Sequence, residues 1–333
     1  MNDMNNASIP ANSAPTPTAA GAAGTPTSIP TMLAATGAVG TPASSLTTLA
    51  ATGATAADAV PAPASTPAPV STALAPATDG KPIDVVSLYP KDMNIYGDSG
   101  NVLTIRRRIE LRGYVPRIHQ INQGDPWPAQ VDLILGGGGQ DTGQKKIVDD
   151  LFVRADMLRA LADEGMPMLM ICGMYQLFGE YFEAIGGTRM EGIGVIDAHT
   201  VGQSTRMIGN IVTHSDDFGD LIGYENHSGQ TFLGEGVQPF GRLAAADAQG
   251  RGNNGEDGTE GARVHNVIGT YLHGSLLPKN PRVADFLIRT AVERRYGAAE
   301  VAAFDAAGAA SAELRRLDDI IANARRTAAA RPR

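Results

Sequence analysis

A single cysteine, Cys172, stands in a chain of 333 residues. One thiol cannot close an internal disulfide, which fits a reducing compartment. Long apolar runs are absent too: nothing approaches the roughly 18 consecutive residues that a membrane-spanning helix needs. The first residues, MNDMNNASIP, lack the basic region and compact apolar stretch of a signal peptide. A cytoplasmic protein without a membrane span is therefore expected. No His-x-x-x-His or Cys-x-x-Cys pair occurs, so no metal site is expected. There is no phosphate-binding G-x-x-x-x-G-K-[ST] and no basic stripe, which leaves nucleic-acid binding without support.

Residues 1–80 lack aromatics, lysine and arginine altogether and carry three acids, Asp3, Asp58 and Asp79. Ala, Pro, Thr, Ser and Gly fill 61 of those 80 positions. Such a segment has too little apolar surface to offset its ordering entropy, so it is predicted to be a disordered tail. The other 253 residues (333 − 80) can bury one sizeable core. Removing the three tail acids from the formal charge of −8 leaves −5 for that part. Arg106–Arg108 is a local basic run whose three side chains point different ways on a helix, and it is read as a solvated face.

From Lys81 onward, apolar strands alternate with amphipathic stretches. Ile83–Tyr89, Tyr114–Ile121, Val131–Leu135 and the run MPMLMIC read as strands. Gly100–Arg112, Lys145–Glu164, Met174–Ala184, Arg282–Arg295 and Ala310–Ala330 read as helices, the first stopping at Gly113. Uninterrupted apolar strands between helices predict an α/β fold with a mostly parallel sheet flanked by helices. Between Gly192 and Tyr271, short apolar segments separated by Gly- and Asn-rich turns predict an inserted strand-rich region. The expected domains are a tail over 1–80, a catalytic-type domain over 81–298 and a helical C-terminal extension over 299–333.

Cys172 lies in MLMICGMYQLFG (Met168–Gly179), where the apolar run ends and a helical pattern starts. A strand-to-helix bend holds a side chain outward, and the following helix N-terminus stabilises negative charge on it. Gly173 permits the close approach that a tight bend needs. The alternative is a buried cysteine that merely packs. His273, in GTYLHGSLLPKNP, ends an apolar strand, where α/β sheets present functional groups. His119 sits inside a strand pattern and reads as structural. Four glycines after a buried strand, in LILGGGGQDTG (Leu133–Gly143), leave backbone N–H groups open, as an oxyanion hole requires; a plain flexible turn is the alternative.

These motifs together resemble the class I, triad-type glutamine amidotransferases, and within them the cobyric-acid-synthase-like branch. NIYGDSGN, EGIGVID, GYENHSG and GTYLHGSLLPKNP are most similar to the glutamine amidotransferase subunits of lipid II isoglutaminyl synthases. The resemblance covers about 83–296. It implies that Cys172 attacks the side-chain amide of L-glutamine, that His273 serves as base, and that Arg206 grips the substrate. The N–H groups of Gly173 and Gly138 would stabilise the oxyanion. The sequence departs from the broad class in two places. Met174 stands where a Gly is usual, and Gly274 and Ser275 follow His273 where a His-x-Glu is usual. A Cys–His dyad is therefore expected, with Asp98, Glu225 or a carbonyl as alternatives for orienting His273.

The resemblance further implies no cofactor in this subunit. ATP and Mg are expected on a Mur-ligase-like synthetase subunit that forms a heterodimer with this chain and amidates lipid II. That complex would lie against the inner face of the plasma membrane. The rival readings are an amidotransferase for a corrinoid or other small acid, an inactive regulatory scaffold, and a cysteine hydrolase acting on peptides.

Overall fold

The computed structural model describes residues 80–331. The tail expected over 1–80 lies, but for Gly80, outside the described residues. The chain opens with β1 (Pro82–Leu88), α1 (Ser99–Glu110), β2 (Val115–Ile121), β3 (Leu133–Gly136), α2 (Asp141–Val153), α3 (Ala155–Asp163), β4 (Met168–Ile171) and α4 (Gly173–Phe178). Strands follow: β5 (Tyr181–Glu183), β6 (Arg189–Glu191), β7 (Ala198–Ser215), β8 (Gly219–Leu233), β9 (Gly241–Arg242), β10 (Thr259–Glu260), β11 (Ala262–Val264) and β12 (Val267–Thr270). Four helices close the chain: α5 (Leu276–Lys279), α6 (Pro281–Tyr296), α7 (Ala298–Ala310) and α8 (Ala312–Ala329).

The main sheet has the order β11-β12-β4-β3-β1-β2, and only the β11–β12 pairing is antiparallel. Its central strands β3, β4 and β12 are buried at every position, β3 and β4 as unbroken apolar runs and β12 with Thr270 at its end. Chain order reverses between β1 and β3. Right-handed crossovers on either side of such a reversal place helices on both faces and open a crevice at the strand ends. The loops after β1, β3, β4 and β12 all emerge at that carboxyl edge.

The inserted region forms a second sheet, β10-β9-β7-β5-β6, with β8 paired to β7 along a long antiparallel ribbon. Its limits differ from the predicted ones. NVIGTYL, read as inserted, contributes β12 to the main sheet beside β4. The helix expected to reach Ala184 stops at Gly179, where a Cβ would stand 2.6 Å from Ala198 O of β7. Tyr181–Glu183 then pairs with β6 and β7.

The helix expected over Lys145–Glu164 is broken at Arg154, which ends α2 and precedes α3. The Arg154 guanidinium bonds the Asp150 carboxylate and Asp125 O and lies over Trp127, which ties the break to the loop after β2. The solvated reading of Arg106–Arg108 fails at Arg108, which is 1 % exposed. Its guanidinium forks onto Asp285 of α6 and Asp318 of α8, at 2.7 and 2.6 Å. A buried guanidinium is tolerated because both carboxylates meet it. His119 is structural as expected: its Nε2 is 2.7 Å from Asp84 Oδ1.

Candidate active site

Cys172 occupies the bend between β4 and α4 with φ 50° and ψ −105°. A side chain rarely adopts that conformation, and its cost is sustained by the surrounding packing. Cys172 N–H donates to Thr270 O on β12, and Cys172 O accepts from Gln176 N, so both sides of the bend are fixed. Gly173 cannot be larger. A Cβ there would stand 2.9 Å from both Gly139 O and Met93 Cε. Gln144 Nε2 holds Gly173 O at 3.0 Å and Gln176 Oε1 at 2.9 Å, and Gln176 Nε2 reaches Tyr271 OH at 3.1 Å. The helix that follows the thiol is thereby anchored to the strand that carries the histidine.

His273 follows β12 by three residues, fully buried, with its backbone bridged to Tyr224 of β8 in both directions. Its Nδ1 lies 3.5 Å from Asp98 Oδ2, an ion-pair contact longer than a tight hydrogen bond. Burial disfavours the imidazolium, but the charges of Cys172 and Asp98 outweigh it, and the pKa of His273 is pushed up to about 10. Among the described residues, neither ring nitrogen of His273 finds a close hydrogen-bond partner. Cys172 is 6 % exposed. A thiol beside a protonated imidazole, with a carboxylate behind, is the arrangement of a nucleophile, its acid–base partner and an orienting group. Of the two acids considered for orienting His273, Asp98 is the one in contact with its Nδ1, while Glu225 Oε2 accepts from Gly252 N–H at 2.9 Å.

The glycine run after β3 is shaped by close contacts. Gly138, predicted as an oxyanion donor, gives its N–H to Asp98 Oδ2 at 2.7 Å. A Cβ on it would lie 2.5 Å from His273 Cε1 and 3.0 Å from Asp98 Oδ2. Its role here is to let the acid and the imidazole approach. The neighbouring Gly139 amide packs against Gly173, its nitrogen 3.1 Å from where a Gly173 Cβ would stand. Gly139 therefore lies against Gly173, the residue that follows Cys172 and opens α4.

Arg206 is exposed on an irregular stretch of β7, where the register to β8 shifts between Gly202 and Met207. Such bulges redirect side chains next to sites. Its Nε–H donates to Asn226 Oδ1 at 2.6 Å, Asn226 Nδ2–H donates to Tyr96 OH at 2.7 Å, and the Tyr96 ring meets His273 edge-on at 4.9 Å. The predicted Arg206 therefore belongs to the same constellation as His273 through two residues that sequence reasoning missed.

Behind the site lies a second buried carboxyl, Glu260. Its Oε1 accepts from Thr270 Oγ1 at 2.7 Å and Tyr271 N–H at 2.8 Å, the residues that lead into His273. Burial, above all, raises its pKa to about 7; the Glu225 charge adds to this, while the two hydrogen bonds and His273 oppose it. Among the described residues, no three His, Cys, Asp or Glu side chains stand together so as to hold a metal ion. None of the described helices is long and apolar enough to cross a membrane.

The α/β sheet thus brings the strained bend at Cys172 and the buried His273–Asp98 pair together. A model of the CobB/CobQ-like glutamine amidotransferase domain matches residues 84–281, and the chain belongs to that family. It is 37% identical over 204 residues to subunit GatD of lipid II isoglutaminyl synthase (glutamine-hydrolyzing) from Staphylococcus aureus (strain N315), covering 61% of this chain and 82% of that one. The GatD subunit of Streptococcus pneumoniae (strain ATCC BAA-255 / R6) is 36% identical over 218 residues, with 65% and 82% covered. A cobyric acid synthase from Cereibacter sphaeroides is 32% identical over 170 residues, covering 47% of this chain and 32% of the synthase.

Proposed function

We propose that this chain hydrolyses L-glutamine and supplies ammonia to a Mur-ligase-like synthetase, which amidates the D-glutamate α-carboxylate of lipid II. The observation that carries the reading is the strained Cys172 facing a buried His273–Asp98 pair. The Cys172 sulfur attacks the amide carbon of glutamine while the N–H groups of Gly173 and Gly139 receive the oxyanion. The His273 imidazolium gives its proton to the leaving nitrogen, releasing ammonia and leaving a thioester. Neutral His273 then takes a proton from water as the oxygen adds to the thioester carbon. Collapse expels the sulfur, releases glutamate and restores the starting charges. Asp98 keeps the imidazole turned with Nε2 toward the reacting atoms.

Arg206 grips the α-carboxylate of glutamine. Its Nε is already tied to Asn226, which leaves the two terminal nitrogens to face a carboxylate as a fork. ATP and Mg belong on the synthetase, and the complex works at the inner face of the membrane, where its lipid-linked acceptor resides. The likeness to two GatD subunits over 82% of their length favours lipid II over a corrinoid acceptor, since the cobyric acid synthase is matched over 32% of its length.

The test supplies the chain and a Mur-ligase-like partner with lipid II, ATP, Mg and glutamine labelled with nitrogen-15 in its amide. Label is expected in D-isoglutamine, lost with Cys172→Ser and restored to that variant by ammonium labelled with nitrogen-15. Equal incorporation from glutamine with and without Cys172 would overturn the proposal.

A further inference from the structure

The reacting pair is nearly sealed: His273 is fully buried and Cys172 almost so, while Tyr96 beside them is 43 % exposed. Tyr96 holds φ 55° and ψ 22° in a short turn, a strained backbone for an aromatic residue. That turn is pinned to the glycine run by Ile95 N–H donating to Gly138 O at 3.1 Å, and to α1 by Ser99 N–H donating to Asn94 Oδ1 at 2.7 Å. Held so, the ring stands edge-on to His273 with its hydroxyl toward β8. Asn226 lies on β8 opposite Ile208 of β7, two residues beyond Arg206. Its amide spans the gap, taking the Arg206 Nε–H on its oxygen and giving an N–H to Tyr96. Among the described residues, no carboxylate forms an ion pair with Arg206, so this amide is what orients it.

We propose that Asn226 and Tyr96 are positioning residues for glutamine hydrolysis. Through the Asn226 amide they aim Arg206 at the substrate carboxylate, and through the Tyr96 ring they brace His273. The inference rests on the reading of Arg206 as the carboxylate grip. Its two halves are separable by chemistry. The Tyr96 hydroxyl and the Asn226 amide act on Arg206 and so on capture of glutamine; the Tyr96 ring acts on the imidazole and so on turnover.

Steady-state glutaminase kinetics on the complex test both halves. Tyr96→Phe keeps the ring and removes the hydroxyl. It is expected to raise KM for glutamine about tenfold with kcat within about threefold, as for loss of one hydrogen bond to an aligned group. Asn226→Ala is expected to do the same. The double variant should be no worse than the poorer single, because both break one bridge. Tyr96→Ala is expected to lower kcat as well. If Arg206→Ala raises KM while Tyr96→Phe and Asn226→Ala leave it unchanged, the bridge is refuted and the role of Arg206 stands. If Arg206→Ala leaves KM unchanged, the carboxylate reading falls and the bridge falls with it. A loss of kcat alone in Tyr96→Phe would also overturn the proposal.

Discussion

Replacing Glu260 by Gln makes a quantitative test of the buried network behind His273. The carboxyl is fully buried, accepts two hydrogen bonds on Oε1 and, among the described residues, has no partner on Oε2. Its pKa of about 7 exceeds the ordinary 4.5, so between those values the native state holds a proton that the unfolded chain has lost. Stability therefore falls as pH rises from about 4.5 to 7 and is level above. At 1.36 kcal/mol per unit, the cost is about 3 kcal/mol once the group is ionised. Gln keeps the acceptor for Thr270 and Tyr271, never ionises, and places an NH2 where Oε2 lacked a partner, at a cost of about 1–3 kcal/mol. Glu260→Gln should then be destabilising near pH 5 and neutral or stabilising at pH 8. The difference between the two ΔΔG values should be about 2–3 kcal/mol. Urea unfolding of both proteins at each pH reads it directly. The same ΔΔG at pH 5 and pH 8 would refute the assignment of a neutral buried acid.

Other outcomes follow from the same geometry. Asp98→Asn should lower kcat by about a hundredfold or more, as for loss of an orienting carboxylate. Because Asp98 favours the imidazolium, its removal should also bring the basic limb of the pH–rate profile down from near 10. Gly138→Ala forces a methyl to 2.5 Å from His273 Cε1, so activity should collapse while the thermal midpoint falls by the few degrees of ordinary overpacking. Arg108→Ala takes the arginine partner from Asp318 and leaves Asp285 with Arg112 alone, and should cost about 2–4 kcal/mol in denaturant titrations, the half-open acids keeping it below the range of fully buried pairs.

Strands β3 and β4 were legible because they are apolar at every position, a signal that survives without any knowledge of partners, whereas β12, which ends in Thr270, was read as inserted. The bend at Cys172 was legible for a related reason: a lone thiol at a change of hydrophobic period marks a strand-to-helix junction. Helix ends were harder. Arg154 breaks a stretch of continuous helical periodicity through contacts with Asp125 and Trp127, and those contacts are not local in sequence. Arg108 shows the same limit, since an arginine in a basic run looks solvated until acids from α6 and α8 close on it. Asp98 lies 175 positions before His273, and only the reversal of strand order between β1 and β3 brings the two together. Gly138 was read as an open amide; that Asp98 would claim its N–H depends on the same long-range packing.

The central claim is that Cys172 is the nucleophile of a glutamine site. Mass-spectrometric mapping after treatment with a glutamine-like electrophile, with and without excess glutamine, tests it on the chain and on its complex with a Mur-ligase-like partner. The account predicts modification of Cys172 that glutamine prevents. Modification that glutamine leaves untouched, or none even in the complex, would contradict it and leave Cys172 as a cysteine that only packs.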